Sequence, residues 1–140
     1  MTEVKDILKK HSFRVTQHRC DVLSFFMLCK TAITHSDLEQ KYRGEIDRVS
    51  LYRMLNSFTV KGILCKLIGS NGAVSYVFDK HFDHDKIHVH PHYKCKNCND
   101  VIELPELPDS YMKLLERLKI DEINILAEGI CADCEKPEKI

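Results

Sequence analysis

Two CxxC pairs constrain this chain more than anything else in it. They are Cys95 with Cys98 and Cys131 with Cys134, four of the seven cysteines. A CxxC turn sets two thiols about one ligand-to-ligand distance apart and pointing the same way. Two such turns make a tetrahedral sulfur site suited to zinc. The 32 residues between the pairs exceed the gap of a zinc ribbon. They fit a strand-helix-strand unit stapled at its open end, with no position left for water, so the zinc implied is structural. The competing chemistry is a redox dithiol, and two pairs in one small domain argue against it. An odd number of cysteines also speaks against a disulfide framework, as does a start, MTEVKDILKKH, without an apolar signal region. A cytoplasmic setting is expected. No stretch approaches the roughly 20 apolar residues of a membrane span.

Just before the first pair runs HVHPHYKCKNC, with His88, His90 and His92 at alternate positions. In extended backbone alternate residues share a face, so three imidazoles can enter one pocket. Pro91 argues against a regular central strand, and the stretch is expected at an edge or leading into the sheet. The plainer alternative for one or two of these histidines is a solvent-facing edge. A pocket of histidine with a carboxylate or thiolate exchanges metal more readily than a sealed four-thiolate site.

The net charge of zero hides an asymmetry. Residues 1–66 carry 12 lysines and arginines against 7 acids, and residues 67–140 carry 9 against 14. A basic module precedes an acidic, metal-binding one. The first half has helical periodicity: Val4, Ile7 and Leu8; then Val22, Leu23, Phe25, Phe26 and Cys29 behind a candidate cap at Thr16; then Leu38 and Tyr42 behind Thr34 or Ser36. In DRVSLYRMLNSFTVKG, Asp47 caps, Val49, Leu51, Tyr52, Leu55 and Phe58 recur, and Gly62 stops the helix. The period then changes. GILCKLIGSNGAVSYVFD holds two β-rich runs around Asn71-Gly72, a hairpin signal. Helices followed by a hairpin give a winged helix-turn-helix with the hairpin as the wing.

The second half reads as a CxxC turn, a strand over Val101 to Leu104, an amphipathic helix capped near Asp109 or Ser110, and a strand into the second CxxC. The fold class expected is α+β: a winged-helix DNA-binding domain over 1–80, a linker over 81–87, and a small α/β metal-binding domain over 88–140. Arg48, Ser50, Tyr52 and Arg53 lie near the start of their helix, where a recognition helix meets base edges and phosphates. An ordinary surface helix is the alternative for that segment taken alone.

FRVTQHRCDVL, then DRVSLYRMLNSFTVKGIL, then H-x-H-x-x-C-x-x-C, then a terminal CxxC, resembles the ferric uptake regulator family of bacterial metal-dependent repressors along nearly the whole chain. The resemblance implies a homodimer that binds a palindromic operator in double-stranded DNA, with a sensory metal site at the hinge. The resemblance further implies that residues 88–140 form the dimerisation domain, and that neither enzymatic activity nor a small-molecule substrate is to be expected. Tyr52 and Arg53 match the family's DNA-contacting pair, and Arg14, Thr16 and Arg19 its phosphate-contacting helix. Cys95, Cys98, Cys131 and Cys134 match its structural zinc site.

The sensory site departs from parts of the family. His90, His92 and Glu103 stand where the iron and peroxide branches place ligands, but Ala32 falls where those branches use a histidine, and His35 is the nearest substitute. The zinc-uptake branch instead takes a ligand from each wing strand, where Cys65 and Asp79 stand here, and His88 matches its histidine. The set implied is Cys65, Asp79, Glu103 and one or two of His88, His90 and His92, holding Zn2+, or Fe2+ or Mn2+. A thiolate in the set favours zinc over iron(II); Cys65 as a buried small hydrophobe is the alternative. A third site of some members looks absent, since Val89 and Pro91 occupy its places. The rival functions are a peroxide sensor of the same fold and a zinc-dependent hydrolase or deaminase. The latter would need H-x-E before P-C-x-x-C, whereas the chain has H-x-H and no proline before Cys95.

Overall fold

The structure is a computed structural model that describes residues 2–79, 91–120 and 123–135. His88, His90, Val89 and the expected linker 81–87 lie outside them.

Four helices come first: α1 (Thr2–Lys10), α2 (Gln17–Leu28), α3 (His35–Lys41) and α4 (Arg48–Val60). Three of their starts are set by local chemistry. Thr16 accepts from the Arg19 amide, Thr34 and Asp37 form a reciprocal capping box, and Asp47 accepts from the Ser50 amide. Each cap satisfies amides that the first helical turn leaves without partners. Leu8, Leu23, Phe26, Leu38, Leu51, Leu55 and Phe58 meet in one core. Val49 and Tyr52, counted with the apolar periodicity of α4, are instead more than half exposed. They fall off the face that Leu51, Leu55 and Phe58 bury.

The wing is an antiparallel pair, β1 (Leu64–Ile68) with β2 (Val74–Phe78). Its turn needs Gly72, whose φ of +83° is left-handed. Leu64 and Tyr76 anchor the wing in the helical core.

The second unit is a three-stranded sheet, ordered β4-β3-β5, from β3 (His92–Cys95), β4 (Val101–Glu103) and β5 (Leu126–Gly129). β3 runs antiparallel to β4 and parallel to β5, and α5 (Asp109–Glu116) lies in the crossover. A short α6 (Ala132–Glu135) carries the last cysteine. Two readings of this half need correction. Of the two placements expected for the stretch around Pro91, the edge is wrong, since β3 is the middle strand, and the entry into the sheet is right: β3 begins one residue later, so the missing amide falls before the ladder. Neither Asp109 nor Ser110 caps α5; Pro108 holds the cap position with no side-chain bond. Proline's fixed φ suits a helix start without one.

The two units are joined by backbone bonds. Between α2 and α3, Thr31 bridges Asp100 and Ile33 bridges Tyr76. Ala32 donates to the Asn99 carbonyl at 3.0 Å, and Val101 donates to the Lys30 carbonyl at 3.2 Å. This short strap ties the wing to the loop after the first CxxC. At the wing tip the Ser70 amide donates to the Glu128 carboxylate at 2.7 Å. A side chain on Gly69 would stand 3.3 Å from that carboxylate, so glycine permits the close approach.

Candidate metal centre and nucleic-acid interface

The four sulfurs of Cys95, Cys98, Cys131 and Cys134 all lie within 4.8 Å of one another. The first pair sits at the end of β3 and the second where β5 passes into α6; because β3 and β5 are parallel neighbours, the two turns meet at one end of the sheet. The amides of Asn97, Cys98 and Cys131 point at the Cys95 sulfur from 3.4 to 3.5 Å. Bonds from the Cys98, Cys131 and Asn97 backbone, against a burial cost, hold the Cys95 thiol down at about 6. At Cys98 the Asp100 amide lowers the thiol, but burial and hydrogen bonds with the neighbouring sulfurs outweigh it and push the group up to about 12. Four thiols this close cannot all ionise without a cation among them. The donor set, its spacing and the amides aimed at sulfur fit a structural zinc ion.

A second group gathers where the wing meets the sheet. Cys65 is on β1, and Asp79 follows β2 with its amide bonded to the Ile63 carbonyl at 2.9 Å. His92 and Glu103 face each other across β3 and β4, so their side chains share one face. His92 is 6% exposed and Asp79 is buried. The Cys65 thiol is raised well above its ordinary value, first by burial, then by the charge of Asp79 and a hydrogen bond with it, then by the charge of Glu103. Four residues of the expected sensory set therefore lie in one neighbourhood, drawn from four parts of the chain. They are less tightly gathered than the cysteines, which alone among the described residues close to within 4.8 Å. Nitrogen, oxygen and sulfur donors around a desolvated thiol suit a divalent cation of the zinc type. His35 is turned elsewhere: its Nδ1 is 3.5 Å from Glu39 and its ring stands edge-on to Tyr52.

The basic residues share a surface. A cleft of about 590 Å3 runs between the start of α2 and α4. Arg14, Thr16 and Arg19 line one wall and Ser50 and Arg53 the other. Thr16 spends an acceptor on its cap, and Arg19 donates to the Arg14 carbonyl at 2.9 Å while its guanidinium lies over Phe13. Ser50 donates its hydroxyl proton to Asp47 at 2.6 Å, so it offers an outside partner an acceptor. Tyr52 and Arg48 do not line the cleft; they contact His35 and Glu39 on the α3 side of α4, 54% exposed and with an 81% exposed side chain respectively. His18 and Ser57 also line the cleft and were missed in the sequence. His18, two residues after the α2 cap, could have been found from that position.

A recognition helix beside a wing, followed by a sheet that gathers four thiols, is the layout of metal-binding transcriptional regulators, and fold and site together point to that class. A sequence profile of the ferric uptake regulator family matches residues 10–125. The ferric uptake regulation protein of Neisseria gonorrhoeae is 30% identical over 142 residues, spanning 94% of this chain and 93% of that one. Its counterpart from Haemophilus ducreyi is 26% identical over 147 residues, spanning 95% and 94%. The chain belongs to the ferric uptake regulator family. Among solved structures, a zinc uptake regulator complexed with zinc and DNA superposes with a TM-score of 0.74 at 23% identity, covering 95% of this chain and 91% of that one. The Helicobacter pylori ferric uptake regulator, described with three functional metal-binding sites, gives 0.57 at 20% identity, covering 99% and 93%. At these identities the two structures bear on the fold.

Proposed function

We propose that this protein is a metal-responsive repressor: a homodimer that binds a palindromic operator, with its DNA affinity set by a metal at the wing-sheet junction. The observation that carries this reading is the meeting of Cys65 and Asp79 from the wing with His92 and Glu103 from the sheet. Ligands drawn from both units can report on how the units are arranged. Residues 1–80 form the DNA-binding part, 81–87 the hinge, and 88–140 the dimerisation part. His88 or His90 completes the sensory set. Arg14, Thr16 and Arg19 meet phosphates, while Arg48, Ser50, Tyr52 and Arg53 face the bases and backbone.

A cation held at the junction would supply the positive charge that lets a buried carboxylate and a thiolate sit together. The rest of the work belongs to the chain. Asp79 at the end of β2 and Cys65 on β1 fix the wing; His92 and Glu103 fix the sheet. An arrangement that brings both pairs together also sets the attitude of α4. Coupling is then reciprocal: metal raises operator affinity, and operator raises metal affinity by the same factor. A thiol among the ligands favours zinc over iron and weighs against peroxide sensing through iron oxidation.

Dimerisation is supported by α5. Its apolar residues Tyr111 and Leu114 are exposed, none of its side chains is buried, and Ile102 and Ile130 are exposed nearby in sequence to the sheet strands. Among the described residues none buries a face of this amphipathic helix, and a second copy completes it.

The test is DNA binding by fluorescence anisotropy with duplexes selected from a randomised pool, in protein treated with a mild chelator and then resupplied with zinc, iron(II) or manganese(II). The expected result is binding that falls on chelation and returns with one metal. A selected duplex held equally well in all four states would sink the metal-responsive reading.

A further inference from the structure

The residues of α4 that face outward are held from behind, by α3. Glu39 and His35 lie one turn apart on α3 and touch each other: His35 Nδ1 is 3.5 Å from Glu39 Oε1. The same carboxylate oxygen is 3.0 Å from Nε of Arg48, the first residue of α4. The His35 ring meets Tyr52 edge to face, with centroids 5.9 Å apart and planes at 88°. One oxygen thus connects an arginine in the first turn of α4 with a histidine that buttresses a tyrosine one turn on.

Two features separate this group from an ordinary surface ion pair. Glu39 Oε1 and His35 Nε2 are both closed off from solvent, and neither has a hydrogen-bond partner among the described residues, so Arg48 meets Glu39 as an ion pair and not through an aligned hydrogen bond. A desolvated carboxylate oxygen responds strongly to a cation at 3.0 Å, far more than a hydrated one. The second feature is the orientation of Arg48. The pair engages Nε, while the side chain is 81% exposed. The outer edge of the planar guanidinium is therefore left to an external partner, with its position held from within by charge.

We propose that Glu39 and His35 are positioning residues for DNA readout, holding Arg48 and Tyr52 in the attitude that distinguishes one sequence from another. Neither touches DNA. Glu39 sets the position of the Arg48 guanidinium, and His35 sets the tilt of the Tyr52 ring. The two act as one unit because they share the carboxylate. The inference rests on the DNA-binding reading above and assigns a source to its sequence preference.

A positioning role leaves a signature that charge alone does not. Glu39 is an anion beside a DNA-facing surface, so removing it should strengthen binding to any duplex by relieving repulsion. If Glu39 also orients Arg48, the selected duplex gains less than a random one, or loses outright. The quantity to read is the ratio of affinities for the selected and a scrambled duplex, measured with the full-length metal-loaded protein at fixed salt. Glu39→Ala is expected to lower that ratio about tenfold, the scale of one well-made base contact. Glu39→Gln keeps the size of the side chain and should lower it by a smaller factor. His35→Ala should lower it as well. In an Arg48→Ala background, Glu39→Ala should change the ratio by a clearly smaller factor than in the wild type, since only the His35–Tyr52 contact remains to be oriented. A ratio unmoved by both Glu39 variants overturns the proposal, as does full additivity between Glu39→Ala and Arg48→Ala. Equal weakening of both duplexes with a lowered melting temperature also overturns it, because that is a structural role only. If wild-type protein selects no sequence at all, it is the DNA-binding reading that fails.

Discussion

At the scale of single residues, Cys65 is the most informative. Burial and the charges of Asp79 and Glu103 keep its thiol protonated through the neutral range. A metal that takes this sulfur must displace a proton, and below a raised thiol pKa that competition eases as pH rises. Metal affinity at the junction is expected to increase with pH across the neutral range, by up to about tenfold per unit for one proton displaced. Calorimetry in buffers of different ionisation enthalpy should show that proton. Cys65→Ser should abolish its release and weaken binding by at least about tenfold, as losing a ligand costs no less than losing an outer partner. Unchanged affinity and unchanged proton release would leave Cys65 as a packed hydrophobe. The four CxxC cysteines were legible because their spacing is local: it fixes geometry before any tertiary contact forms. The junction residues carry no such spacing. Cys65, Asp79, His92 and Glu103 come from four segments; the alternating histidines pointed to His92, but only a family resemblance singled out the other three. The brace of Glu39 and His35 was illegible for a similar reason. Nothing in HSDLEQ says which way a glutamate will face until α4 is docked beside it.

At the scale of elements, helix starts were read well where a side chain makes them. Thr16, Thr34 and Asp47 each bond an amide three residues on, a contact written within four positions of sequence. The α5 start was misread because no side chain makes it. Pro91 was read as marking an edge or an entry to the sheet; it stands at the entry, with pairing from His92, but the strand it leads into is the middle one. Strand order follows from long-range contacts, which periodicity does not encode. Thr34 has the clearest energetic consequence, since it supports α3 and through it the brace behind Tyr52. Thr34→Ala should cost about 1 kcal/mol and lower the melting temperature by about 3 °C for a chain of this size. Thermal unfolding followed by circular dichroism measures it. A loss under a few tenths of a degree would mean that Asp37, whose side chain accepts from the Thr34 amide at 2.9 Å, suffices alone.

At the scale of the whole molecule, the predicted order of winged helix and small α/β unit is the one the structure has, because periodicity changes where the architecture changes. The mates of the exposed apolar residues were not legible, since a lone sequence does not say what covers them. Leu114→Glu puts a charge on the uncovered face of α5. It is expected to shift the protein from dimer to monomer in analytical ultracentrifugation, with little change in the helical core more than an element away. It should also about halve the slope of log affinity against log salt, since one half-site's phosphate contacts are lost. A dimer that survives this substitution would place the interface elsewhere.

The strap from Lys30 to Ile33 bears on how this protein can be taken apart. Its backbone bonds to Asn99, Val101 and Tyr76 make it an extra ribbon shared by wing and sheet. Cutting the chain after residue 80 would leave the Ala32 amide and the Lys30 carbonyl stranded on a short open edge. Such edges pair with whatever strand is offered, including another copy of the fragment. An isolated DNA-binding half is thus a poor surrogate for the intact molecule. Its self-association would mimic the dimer proposed for the intact chain.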